Sequence, residues 1–135
     1  MAEKVIMQTS EGNEWLKRCC PQAKGYVIPN PVVYPLPHNK PIITLYRNQK
    51  HQTKTVIAVG RLTPQKGFDL LINSFAILCK ETPGWQLVIV GDGSERISLQ
   101  KMIVDYDLEE SIYLAGWVGN MRDWYDYANL FVLSS

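Results

Sequence analysis

From Lys54 onward, short apolar runs alternate with longer stretches in which apolar residues recur every three or four positions. The runs are "TVIAVG", "WQLVIVG", "SIYLAG" and "LFVLS". Between them stand Phe68, Leu71, Ile72, Phe75, Leu78 and Cys79, then Leu99, Met102, Ile103 and Tyr106, then Met121, Trp124, Tyr125 and Ala128. Runs that are apolar on both faces predict strands of a parallel sheet covered from two sides. The longer spacing predicts amphipathic helices. Strand alternating with helix predicts βαβ units joined by right-handed crossovers. The expected fold is therefore α/β: an incomplete doubly wound, Rossmann-like parallel sheet of about four strands with flanking helices. If the strand order is 3-2-1-4, the fourth strand, around Phe131, is an apolar edge open to pairing with another chain.

The first 28 residues read differently. "KVIMQTS" predicts a short strand, "EGNEWLKRCC" a helix on which Cys19 and Cys20 pack, and "GYVI" a second short strand. These pieces are too few to build a core. Five of the eight prolines then fall between Pro29 and Pro41. Proline removes a donor and fixes φ, so residues 29–53 read as an extended linker, with "IITLY" as a brief strand inside it. A proline-rich stretch between two patterned segments marks a domain boundary.

Composition narrows the chemistry. The net charge is +1, so no bulk field argues for nucleic acid, and any anion must be recognised locally. Three cysteines, two of them adjacent, make a poor disulfide framework and suit a reducing compartment. Only His38 and His51 could join the cysteines at a metal, and no ligand spacing links them. The N-terminus lacks the apolar core of a signal peptide, and no run reaches membrane-spanning length. The expected location is the cytoplasm.

The turns after the apolar runs carry the candidate chemistry, because open α/β sheets bind ligands at the carboxyl ends of their strands. In "GRLTPQKG", Arg61 offers a planar fork and Lys66 a point charge in front of a predicted helix N-terminus. Gly60 and Gly67 allow close backbone approach. The ligand that fits is a diphosphate; the plainer reading is two solvated loop charges. The stretch is not a Walker A loop, since Gly67 follows Lys66. In "VGDGSER", Gly91, Asp92 and Gly93 form a second candidate turn. Arg96 stands where the third glycine of a dinucleotide fingerprint belongs, which argues against a nicotinamide cofactor. Asp92 and Ser94 are expected to cap the next helix. In "LAGWVGNM", Trp117 could stack on a base or cover the core, and the core role is favoured. No Ser-His-Asp or Cys-His arrangement can be built.

These stretches together resemble glycosyltransferase family 4. "VGRLTPQKGFDLL", "WQLVIVGDGSER", "IYLAGWV" and "YANLFVLSS" stand in that family's order and spacing, and "VIPNPV" is similar to the stretch leaving its N-terminal domain. The resemblance implies the GT-B fold and a retaining enzyme that moves a sugar from a nucleotide-diphosphate donor to a saccharide or lipid-linked acceptor. Polysaccharide, lipopolysaccharide or glycoconjugate biosynthesis is the implied setting, at the inner membrane face where the acceptor is lipid-linked. It implies that Arg61 and Lys66 bind the donor diphosphate and stabilise the leaving group. The loop of Val118 and Trp117 would meet the nucleobase. Neither cofactor nor metal is implied. Residues 1–28 would then be the end of the N-terminal domain, 29–53 the interdomain linker, and 54–135 a truncated donor-binding domain, half of a GT-B C-terminal domain. The family's paired glutamates would begin beyond "VLSS", so no catalytic residue carries over and the segment alone is expected to be inactive. The alternative is a non-catalytic nucleotide-binding or strand-edge interaction module.

Overall fold

A computed structural model describes residues 4–36 and 53–134 of the chain. It divides into two compact units, Met1–Pro35 and Leu36–Ser135, with the break inside the proline-rich stretch. "IITLY", His38 and His51 lie outside the described residues.

The first unit holds strand β1 (Lys4–Met7), helix α1 (Ser10–Cys19) and strand β2 (Lys24–Val27), the two strands pairing in parallel. Thr9 caps α1, its hydroxyl accepting from the Gly12 amide at 3.0 Å. Leu16 is the one described residue of this unit that is buried. Cys19 and Cys20 are exposed, not packed as the sequence suggested, because α1 ends there and neither thiol faces another layer.

The second unit is the predicted α/β layer structure. Its strands are β3 (Lys54–Val59), β4 (Trp85–Val90), β5 (Ile112–Gly116) and β6 (Leu130–Val132). Its helices are α2 (Phe68–Glu81), α3 (Arg96–Asp105) and α4 (Met121–Tyr127). All strand pairs are parallel and the order is β5-β4-β3-β6. That is the 3-2-1-4 arrangement considered above, with β6 at one edge.

The two sheet faces bury separate clusters. Val56, Ala58, Leu87 and Ile89 pack under α2 and α3 with Phe68, Ile72, Phe75, Leu99 and Ile103. Ile57, Val88 and Val90 pack on the other face with Ala115, Val118 and Trp124. Strand alternation sends successive residues to opposite faces, so both sets must be apolar.

Two expectations are corrected at the edges of this core. Tyr106 is 44% exposed at the C-cap of α3, and its hydroxyl donates to Asn73 Oδ1 at 2.7 Å. Tyr125 stands half out of α4 and meets Phe131 edge-on, with centroids 5.6 Å apart. Leu130 and Phe131, by contrast, are 50% and 44% exposed, the open apolar edge expected there, because β6 pairs with β3 on one side only.

Candidate functional site

The strand ends position the three turns. β3 stops at Val59, and its turn is fastened to the turn after β4 by backbone bonds. The Gly60 amide donates to Val90 O at 3.0 Å, Leu62 N to Asp92 O at 3.0 Å, and Glu95 N to Leu62 O at 2.9 Å. The packing is too close for side chains. A Cβ on Gly91, whose φ is 142°, would run into the Gly60 carbonyl, and one on Gly93 would run into the Leu62 backbone. These two glycines therefore seat one turn upon the other, and Gly93 is not part of the open cleft.

The first turn continues as a single 3-10 turn, Pro64–Lys66. Gly67 follows with φ 59° and ψ 33°, the left-handed region, and serves as N-cap of α2 with no side-chain cap. The opening amides of α2 and its dipole thus stand beside Lys66 without a capping oxygen. Arg61 is exposed and Lys66 half-buried, and neither has an ion-pair partner among the described residues. The stem of Lys66 folds back against Gly60, its Cδ lying 3.6 Å from where a Cβ would sit.

The second turn contains a correction. Neither Asp92 nor Ser94 caps α3. The N-cap is Glu95, without a side-chain capping bond, and Asp92 Oδ1 instead accepts from the next residue's amide, Gly93 N, at 2.9 Å. The third turn contains another. Trp117 is 73% exposed, not a core residue. Gly116, at φ 74°, turns the chain so that Trp117 points outward while Val118, 8% exposed, stays in the core.

The three turns meet in one open cleft of about 530 Å³. Gly60 and Arg61 come to it from the first turn, Gly91 and Asp92 from the second, and Trp117 and Val118 from the third. Val59, Val90 and Met121 complete an apolar lining. Lys66 and Gly67 lie beside the cleft, not in its wall. Met121 was readable only as helix stripe, since nothing in its spacing marks it as the first residue of α4 beneath the third turn. Ser134 was also missed: its hydroxyl donates to the Lys66 carbonyl and ties the segment after β6 to the cationic turn. A larger hollow of about 640 Å³ lies between α2 and α3, lined by Asn73, Lys80, Asp105 and Asp107 among others, and holds none of the turn residues.

Among the described residues no group of three or more His, Cys, Asp or Glu could hold a metal, and no helix is long and apolar enough to cross a membrane.

The chain and its fold have known counterparts. An uncharacterised glycosyltransferase of Methanocaldococcus jannaschii is 32% identical over 99% of this chain and 34% of its own length. The amylovoran biosynthesis glycosyltransferase AmsD of Erwinia amylovora is 30% identical over 100% of this chain and 37% of its own. A variant of S. aureus TarM, crystallised with fondaparinux, α-GlcNAc-glycerol and UDP, superposes with a TM-score of 0.74 at 27% identity. That match covers 98% of this chain and 25% of TarM. The chain thus spans about a third of the length of these curated relatives, and its fold is that of part of a GT-B glycosyltransferase. Residues 44–135 match the family described as glycosyl transferases group 1, and the chain belongs to that family.

Proposed function

We propose that this chain supplies the donor-diphosphate and nucleobase-binding part of a retaining glycosyltransferase. The enzyme would transfer a sugar from a nucleotide-diphosphate donor to a saccharide or lipid-linked acceptor. The observation that carries this reading is convergence: three strand-end turns share one cleft, with Arg61 in its wall and Lys66 and an uncapped helix N-terminus beside it. Two cations and oriented amides fit a diphosphate. As the glycosidic bond breaks, negative charge grows on the leaving diphosphate. Cations held in place stabilise that charge more in the transition state than in the ground state. The apolar wall of Val118, Met121 and exposed Trp117 suits the flat face of a base.

The UDP bound to the TarM variant makes a uridine donor the first to try. AmsD makes polysaccharide assembly the natural setting. A cytoplasmic enzyme, peripheral to the inner membrane face and needing no cofactor, fits this chemistry. The 135 residues alone are expected not to transfer sugar, since the relatives are about three times as long.

The test is a titration of the chain with UDP, GDP and ADP, followed by backbone amide shifts. Shifts are expected at residues 60–67 and near Val118. An Arg61→Ala, Lys66→Ala double variant should bind at least about tenfold more weakly, the scale of one lost charged hydrogen bond. Unchanged affinity in that variant sinks the reading.

The exposed apolar edge at Leu130 and Phe131 favours a second reading, a strand-edge interaction module. Size-exclusion chromatography over a range of concentrations tests it. A monomer throughout counts against self-pairing, and a concentration-dependent dimer lost on Phe131→Lys supports it.

A further inference from the structure

β5 carries an irregularity just before the third turn. Ile89 faces Leu114, but Val90 faces Gly116, so Ala115 is an extra residue in the ladder. Such a bulge leaves one residue unpaired, bends its strand and re-aims the side chains that follow. Here Gly116 and then Trp117 and Val118 follow, and the last two line the cleft.

Arg96 reaches this bend from the first turn of α3. Its Nη2 donates to the Leu114 carbonyl at 3.3 Å. Its Nη1 lies 3.6 Å from where a Cβ on Gly116 would stand. The same Nη1 is 3.9 Å from Asp92 Oδ1, in the cleft wall. One planar fork thus spans the second turn and the bend that launches the third, a reach suited to a guanidinium. An exposed i,i+4 ion pair alone would matter little. What distinguishes Arg96 is the carbonyl it takes at the bulge. Arg96 is not itself a lining residue of the cleft.

We propose that Arg96 is a positioning residue for the base-binding side of the cleft: it holds the β5 bulge that aims Trp117 and Val118, and it pairs the Asp92 carboxylate in the wall. This rests on the nucleotide-binding reading above. It also accounts for the arginine at the position where a dinucleotide fingerprint would have its third glycine.

The experiment compares the unaltered chain with Arg96→Ala and Arg96→Lys, using UDP and inorganic pyrophosphate as separate probes followed by amide shifts. Pyrophosphate reports the Arg61 and Lys66 side alone. Arg96→Ala is expected to weaken UDP about tenfold while leaving pyrophosphate affinity within about twofold. Arg96→Lys, which keeps a charge and a donor, should recover part of the loss. Equal losses for both probes, or no loss for UDP, overturn the proposal. If the unaltered chain binds neither UDP, GDP, ADP nor pyrophosphate, the nucleotide reading falls. Ligand-free spectra then judge Arg96 by themselves: amides of Gly116, Trp117 and Val118 that do not move in either variant overturn its positioning role.

Discussion

Gly91 and Gly84 both have positive φ, 142° and 91°, yet they do different work. A Cβ at Gly84 would meet nothing within 4 Å, whereas one at Gly91 would enter the Gly60 carbonyl. Gly84→Ala should therefore cost about 1 kcal/mol, the backbone strain alone. Gly91→Ala should cost roughly 2–4 kcal/mol, strain plus overpacking. Urea unfolding of the two variants measures the difference, and equal costs would show that the turns have room to separate. The sequence displayed both glycines plainly. It gave no sign that Gly91 and Gly93 also seat the neighbouring turn, because that depends on which backbone lies across from them. Trp117 failed for a related reason: an aromatic beside a buried strand is usually core, and only the turn at Gly116 sends it outward.

At the scale of elements, helices and central strands were legible because each shows its period over a full turn or more. β6 was legible as a strand and as an open apolar edge, though its three residues carry no period that assigns a face. Its start is fixed by a polar contact instead. Asn129 Oδ1 accepts from Thr55 N at 2.8 Å, and Asn129 N donates to Thr55 O at 2.8 Å. Asn129→Ala removes the first bond and leaves the Thr55 amide without that acceptor. The expected cost is about 1–2 kcal/mol. Faster hydrogen exchange at Thr55 and through β6 than through β4 would locate the effect. An unchanged Thr55 exchange rate would show that β6 holds its register without this side chain.

For the whole molecule, the alternation of strand and helix predicted an all-parallel sheet, and the second unit has one, in the order β5-β4-β3-β6. The first unit shows the limit of such rules. Its strand, helix and strand were all foreseen, yet local pattern does not create a core, and Leu16 is its one buried described residue. Folding so short a segment needs more apolar burial than that. A peptide of residues 1–35 is expected to be unstructured by circular dichroism at 25 °C. A cooperative thermal transition in that peptide would mean that the pairing of β1 with β2 is worth more than its burial implies.

The cleft joins two kinds of wall. On one side, two turns are locked backbone against backbone, with no space for a side chain at Gly91 or Gly93. On the other stand Trp117, Val118 and Met121. Variation is therefore unequally open to the two sides. Replacements at 91 and 93 run into backbone and are lost, whereas Trp117 and Met121 are free to change one at a time. Under the proposed nucleotide reading, a lineage built on this frame would exchange the base it recognises in single steps while the diphosphate side stays as it was. Selection for a new donor should leave its record first at those side chains.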